Sequence, residues 1–245
     1  MAVLALPDSA RLAWWLTAWL NGTASPDDLV SAVLDGDAAH HVAGVPGHDD
    51  LVPLVLALAA VRTSGATAAG LALPVEGDPV GLGGPPVFNH EAIEAGEGVV
   101  LVHGDAGLVP RRAGAGVVWQ WLPASRRQVP DLGEADRQLR TALVAAANGL
   151  AALDVARWRP EVADELSNLQ HRPRIAAPPG TPELCADLAA RGSQALAIVE
   201  LALIDDGGAV TAAEADLRRT TLAGLGAAAR RALVAACSPE GWPPA

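Results

Sequence analysis

Hydrophobic and polar positions follow two different periods along the chain, and the change of period divides the sequence into three parts. Residues 1–64 and 132–238 carry apolar side chains at spacings of three and four, which is typical of amphipathic helices. Residues 65–123 contain runs of period two, rich in β-branched and aromatic side chains, which indicate strands. The pattern predicts an α+β fold with N-terminal helices, a small antiparallel β-sheet in the middle and a C-terminal helical bundle, together forming one compact unit.

Three helices are predicted before the sheet. The first covers residues 9–21, and its apolar stripe is formed by Leu12, Trp15, Leu16 and Trp19. Trp14 points about 100° away from Trp15, so the hydrophobic face is wider than one packing partner normally covers. This helix is therefore either central in its own fold or docked on another chain. Ser25 is predicted to cap a second helix, and a third covers residues 51–62 after a polar connection at 37–50.

The sheet is predicted from three apolar runs, at residues 71–75, 99–103 and 116–122, separated by turns rich in glycine and proline. Asn89 is predicted to cap a short helix at 91–95. In the C-terminal part, helices are predicted at 133–156, 160–169 and 181–204. A capping box at 211–214 begins the last helix, which ends near Cys237 unless the glycines at 224 and 226 break it.

Composition narrows the classes of function that remain. The chain has 245 residues, a formal net charge of −11 and a pI near 4.9, which opposes binding to a phosphate backbone, so we predict no nucleic-acid partner. All 17 basic residues are arginines, as a GC-rich bacterial genome would give. Without lysine the chain cannot form a Schiff base, anchor pyridoxal phosphate or build a P-loop, and no dinucleotide fingerprint occurs in the sequence. We predict no cofactor.

The sequence favours a cytoplasmic protein. Its N-terminus has no basic region, and Asp8 and Arg11 interrupt its apolar run, unlike a signal peptide. The longest apolar runs have about half of the ~20 residues that cross a bilayer, so no membrane association is predicted. Cys185 and Cys237 stand in no zinc-site spacing, and the adjacent histidines at 40 and 41 would point to different faces, so we predict no metal site.

The densest polar chemistry lies along the predicted sheet. The candidate catalytic residues are His90, Glu91, His103 and Asp105. A histidine beside carboxylates can act as a general acid or base. Arg111 and Arg112, on the neighbouring hairpin, are candidate ligand-binding residues. The alternative is a structural role for all of them, as solvated helix positions, a turn aspartate and two arginines that protect an exposed strand.

A second group of candidate ligand-binding residues lies between predicted helices of the C-terminal bundle: His171, Arg172 and Arg174. Guanidinium groups suit carboxylate and phosphate ligands because their donors form a fixed fork. The alternative is that these arginines pair with carboxylates of neighbouring helices, since the chain has 28 acidic residues.

Two hypotheses of function follow. The first is a non-catalytic cytosolic protein that acts through protein contacts and self-associates through Trp14, Trp15 and Trp19 or another apolar surface. It rests on the absence of strong catalytic motifs from the sequence. The second is a small-molecule-binding protein or enzyme with a pocket between the sheet and the helical bundle. Convergence of the candidate side chains on one cavity would favour the second hypothesis.

Overall fold

A computed structural model describes residues 6–125, 127–152, 175–203 and 212–242, and it confirms the α+β fold class. The helices are α1 (Asp8–Leu20), α2 (Pro26–Leu34), α3 (Leu54–Thr63), α4 (Pro86–Ala95), α5 (Leu132–Ala152), α6 (Glu183–Leu203), α7 (Ala212–Ala236) and a short 3-10 helix (Pro239–Gly241). The strands are β1 (His40–Ala43), β2 (Val52–Pro53), β3 (Ala68–Ala72), β4 (Gly98–Val102), β5 (Ala106–Ala113) and β6 (Gly116–Pro123). No helix among these residues combines the length and hydropathy needed to cross a membrane.

The sheet has six strands in the order β2-β1-β6-β5-β4-β3. It is larger than the predicted sheet, and it is mixed rather than wholly antiparallel because β1 runs parallel to β6, with His40 opposite Val117. β1 falls within residues 37–50, which the sequence pattern assigns to a polar connection. A run of four residues that includes two histidines is too short and too polar for period two to be recognised.

Helices cover both faces of the sheet. Val99 and Leu101 of β4 point to the face that α1, α2 and α3 cover. Val100, between them, points to the opposite face and packs with Phe88 and Ala92 of α4. The N-terminal half therefore has three layers, with the sheet in the middle.

The first helix lies between two parts of the core. Leu12, Leu16 and Trp19 pack with the sheet, α2 and α3. Trp14, only 1% exposed, packs with the C-terminal helices, and its indole N–H donates to the carbonyl of Ala236 at 3.1 Å. Trp15 is half-buried. The helix is thus central in its own fold, and the buried Trp14 and Trp19 offer no surface for self-association.

Side chains close the free edge of the sheet at β3. The hydroxyl of Thr17 donates to the carbonyl of Ala69 and accepts from its N–H, both at 3.0 Å. At Leu71, the N–H donates to the hydroxyl of Ser238 at 3.2 Å, and the carbonyl accepts from the Arg127 guanidinium. An edge strand left open would present these backbone groups to other chains. Here segments far apart in sequence cover it.

The predicted start of a helix is correct where a capping residue marks it, and it is wrong where a strand or a proline comes first. Ser25 caps α2 in a capping box with Asp28, as predicted. The third helix begins at Leu54 and not at residue 51, because Val52–Pro53 forms β2. α4 begins at Pro86, so Asn89 is not its cap and instead accepts from the N–H of Gly84 at 3.0 Å.

In the C-terminal part, α7 continues without a break through the glycines at 224 and 226. Helix packing holds this stretch, because Gly226 faces Val199 of α6 closely enough that an added Cβ would be in van der Waals contact with it. The predicted helix at 160–169 and the first residue of the capping box at 211 lie outside the described residues.

Candidate functional site

Arg111 and Arg112 stand side by side near the end of β5 and point to opposite faces of the sheet. This follows from the alternation of side chains along a strand. Each guanidinium group meets carboxylates from the element that covers its face. Arg111 contacts α4, and Arg112 contacts the start of α1 and the segment before β1.

On the α4 face, Arg111 is bound by Glu91 and lies 3.7 Å from Glu94. His90 lies on the same helix, with its Nε2 3.7 Å from Glu94. The structure thus brings together three of the predicted site residues, His90, Glu91 and Arg111. The hydrogen bond and charge of Glu91 raise the pKa of Arg111 further, so this guanidinium remains charged.

On the opposite face, Arg112 connects two aspartates. Its Nη2 lies 2.8 Å from Asp8 and its Nη1 2.7 Å from Asp37. Asp37 also binds Nε2 of His40 at 3.0 Å, and Nδ1 of His40 accepts the indole N–H of Trp119 at 3.2 Å. Both ring nitrogens of His40 are therefore engaged, which fixes Nδ1 as the acceptor and leaves neither free for proton transfer.

A cleft of about 500 Å³ opens at this end of the sheet, between α4, the start of α1 and the ends of β5 and β6. Its charged lining is formed by Arg111, Arg112, Asp8, Glu91, Glu94 and Glu97, and its apolar lining by Ala95, Pro110 and Val117. These residues all precede residue 118. The cleft therefore lies away from the predicted position between the sheet and the C-terminal bundle.

Glu97 is the least compensated carboxylate in the cleft. It sits between the glycine that ends α4 and the first residue of β4, and its Oε2 accepts the backbone N–H of Ser9 at 2.8 Å. Burial raises its pKa, and the neighbouring negative charge of Asp8 raises it further, while Arg112 acts in the opposite direction. Asp37 behaves differently, since the hydrogen bond from His40 and the contact with Arg112 lower its pKa.

His103 and Asp105 lie at the other end of the same strands. They follow β4 and precede β5, whereas Glu97 precedes β4. The five residues of β4, at about 3.3 Å each, separate the two ends by roughly 17 Å. Both residues are exposed, and Nδ1 of His103 lies 3.0 Å from the hydroxyl of Thr67. The structure does not bring this pair into the cleft, which Glu91 lines, or next to His90 on α4.

One group of described residues has the donor types of a metal site. Ligand atoms of His90, Glu91 and Glu94 lie within 4.8 Å of one another on α4. Glu91 is already bound by Arg111, and His90 and Glu94 are exposed, so a metal ion held by all three side chains would have to displace the guanidinium from Glu91. His171, Arg172 and Arg174 lie outside the described residues.

The cysteines are not placed as nucleophiles. Burial raises the pKa of Cys185 to about 11 and that of Cys237 well above its ordinary value. A thiol of such high pKa carries little thiolate at neutral pH.

Sequence reasoning missed three carboxylates: Asp8 and Glu97, which line the cleft, and Asp37, which binds Arg112. The sequence did carry a signal for Glu97: it is a single acidic residue between two glycines, directly before an apolar run. Asp8 and Asp37 resemble ordinary turn or cap residues, and only the folding of α1 and β1 against β5 brings them to Arg112.

Comparison with known proteins places both halves of the chain in one family. Residues 9–134 match the family model described as Rv1486c-like protein, N-terminal domain, and residues 133–234 match Rv1486c-like protein, C-terminal domain. The uncharacterized protein Rv1486c of Mycobacterium tuberculosis strain H37Rv is 32% identical over 219 residues, which cover 69% of this chain and 75% of that protein. Uncharacterized protein MT1533 of strain CDC 1551 has the same identity and coverage. No solved structure matches the chain.

Proposed function

The chain belongs to the Rv1486c-like protein family, and we propose that it acts as a binding protein for a small ligand held in the charged cleft. The observation that carries this proposal is the concavity of about 500 Å³ at the end of β5, within the size range of small-molecule sites. Two arginines and four carboxylates line it, together with three apolar residues. Such a lining can orient a polar ligand by its charges and exclude water around its apolar part.

The state of the histidines favours binding over catalysis. A general base needs a nitrogen that can reach a substrate proton. Both nitrogens of His40 are engaged inside the protein, and His103 lies at the far end of β4. His90 is exposed on α4, beside Glu94. The charged groups of the cleft thus serve recognition in this proposal.

Filling the cleft tests the proposal. Ala95 is an exposed residue of the cleft lining at the end of α4, so Ala95→Trp would place an indole in the space that a ligand needs. We expect members of a library of small polar compounds to shift the NMR amide signals of Glu97 and Arg112 in the parent protein. These shifts should be lost in Ala95→Trp.

The matched control is Ala145→Trp, at an exposed position of α5 outside the cleft lining. It adds the same side chain and should bind the same compounds as the parent. Hits that bind Ala95→Trp as well as they bind the control would contradict the cleft as the binding site. A library that shifts no cleft signal would also count against it.

Self-association is a second candidate function, and a different surface favours it. Leu51, just before β2, and Val55 and Leu56, in the first turn of α3, are 54%, 43% and 63% exposed. Exposed apolar side chains at this density are typical of protein contacts. We expect Leu56→Glu to lower the sedimentation coefficient at high protein concentration if copies of the chain associate here. A parent protein that sediments as a monomer at all concentrations tested would rule this out.

A further inference from the structure

The charges that line the cleft do not balance. Four carboxylates and two guanidinium groups line it, which leaves an excess of two negative charges. Arg11, behind the lining, also contacts Asp8, but it is shared with Asp35 and so does not remove the excess. The arginines are also largely satisfied already. Arg112 is shared between Asp8 and Asp37, at 2.8 and 2.7 Å, and Arg111 is bound by Glu91. An anionic ligand would have to break these ion pairs, whereas a cationic ligand would not.

Glu97 is one of two carboxylates in the cleft whose negative charge is not compensated by a close ion pair. Its Oε2 accepts a single backbone N–H, from Ser9, and among the described residues it has no ion-pair partner within 4.0 Å. Arg112 is the cation that acts on Glu97, but only through space, and a partly buried carboxylate without an ion pair in contact is unfavourable in its ionised form. A ligand ammonium group in the cleft would supply the missing partner.

Glu94 is the second such carboxylate. Its oxygens lie 3.7 Å from both Arg111 and His90, beyond good hydrogen-bond distance, and its side chain is 56% exposed. Glu91, by contrast, binds Arg111 closely. Glu94 therefore stands at the rim of the cleft with its charge only loosely compensated, three residues before Glu97.

We propose that the cleft binds a linear aliphatic diamine, with one ammonium group at Glu97 and the other at Glu94. Two ammonium groups match the excess of two negative charges. The methylene chain between them would lie against Ala95, the exposed apolar residue of the lining. This assignment rests on the proposed binding function of the cleft and adds the chemical class of its ligand.

Titration calorimetry at low salt with four-carbon probes tests the assignment. Putrescine carries two positive charges, butylamine carries one, butanediol is neutral and succinate carries two negative charges. We expect putrescine to bind most tightly, butylamine more weakly, and butanediol and succinate not at all. Magnesium chloride as a fifth probe distinguishes recognition of a diamine from attraction of any divalent cation, and it should not displace putrescine.

Two isosteric variants locate the contacts. Glu97→Gln removes the charge but keeps an acceptor for Ser9, and it should weaken putrescine binding at least about tenfold. Glu94→Gln, at an exposed position, should weaken it about threefold. Glu134→Gln makes the same change of charge on α5 and should bind within about twofold of the parent.

Equal putrescine affinity in Glu97→Gln and the parent would overturn the diamine assignment, and so would tighter binding of succinate or magnesium. If succinate or a library compound bound instead, and bound less well to Ala95→Trp, the cleft would remain a ligand site for another class of molecule. If neither the probes nor the library bound, the proposed function would fall together with the diamine.

Discussion

Two arginines, one near the end of the interior strand β5 and one beside the edge strand β3, show how the same type of side chain serves two purposes. Arg112, at the cleft, has a side chain that is 60% exposed, and its partners are two carboxylates at 2.8 and 2.7 Å. Arg127, at the edge strand β3, is 1% exposed and contacts mainly neutral groups, the carbonyl of Leu71 and the hydroxyl of Ser238. The carboxylate that pairs with it among the described residues, Glu240, is more distant at 3.4 Å.

Burial decides what each arginine can do. Water screens the ion pairs of Arg112, so each pair contributes little to the free energy of unfolding. Burial lowers the pKa of Arg127, and the charge of Glu240 opposes this shift. Water cannot reach this site to replace the hydrogen bond from Arg127 to the backbone. Arg112 therefore contributes little to stability at the cleft, whereas Arg127 contributes much at the β3 edge.

The largest effect is expected from Arg127→Ala. It would leave the carbonyl of Leu71 without its guanidinium donor and the hydroxyl of Ser238 without one of its partners, in a buried place. An unsatisfied buried group costs about 1–3 kcal/mol, so we expect a total loss of about 3–5 kcal/mol from the free energy of unfolding in urea. Arg137→Ala, which removes an exposed ion pair with Glu134, is the control and should cost less than about 0.5 kcal/mol. Similar losses of free energy of unfolding in both variants would show that a buried arginine contributes no more to stability than an exposed one.

A smaller loss is expected from Gly70→Ala, which tests the same clamp from the strand side. A Cβ at this position would overlap the guanidinium of Arg127. We expect the displaced arginine to cost about 1–3 kcal/mol. In an Arg127→Ala background the obstacle is gone, so Gly70→Ala should then cost little, and a double-mutant cycle measures the coupling. Additive losses would mean that the glycine is needed for some other reason.

Trp14→Phe should follow, with a loss of about 1–2 kcal/mol. The change removes the donor to the Ala236 carbonyl and part of a buried ring, although the indole of Trp242 still donates to that carbonyl at 2.9 Å. Trp15→Phe, at the half-buried neighbour, should cost less than about 1 kcal/mol. Thermal melts of the two variants decide between the buried face given by the structure and the stripe predicted from spacing.

The difference between Trp14 and Trp15 illustrates how far the sequence reaches. Periodicity and caps predict α1, α2 and the class of the fold, because these depend on residues within a few positions of one another. Spacing alone cannot tell that α1 is covered on two sides, since the second covering comes from α7, more than 200 positions later; Trp14 and Ala236 are 222 residues apart. The sequence pattern does not predict β1 for a similar reason. Pairing with β6 stabilises this strand, whereas its own composition does not favour one.

In the candidate site, too, some residues can be recognised in the sequence and others only in the folded structure. Glu91, Arg111 and Arg112 attract attention in the sequence as charges beside an apolar strand. The partners that give them a geometry are distant in sequence, as Asp37 is 75 residues from Arg112. The proximity of His103 and Asp105 to strand β4 was equally visible, but only the direction of the strand shows that they stand at its other end.

The smallest effects, opposite in sign, are expected from the two carboxylates that flank Arg112. Asp37 has a lowered pKa in the fold, so its ionised form contributes stability above the ordinary value of 3.8, and this contribution is lost as the pH falls through the folded value. Asp37→Asn should therefore destabilise the protein at neutral pH and lose its effect in acid. Glu97 has a raised pKa, so its ionisation costs stability as the pH rises above 4.5, up to the folded value.

Glu97→Gln should consequently stabilise the protein at neutral pH and approach the parent below pH 4.5, because the cost of ionising a buried carboxyl disappears once the group is protonated in both states. Urea unfolding of the parent and both variants from acid to neutral pH measures the two differences. The diagnostic result is that the changes in the free energy of unfolding caused by Asp37→Asn and by Glu97→Gln have opposite signs at neutral pH. Destabilisation by Glu97→Gln at neutral pH would mean that a cation inside the protein already compensates Glu97, and the cleft would then hold less negative charge for a ligand than the structure indicates.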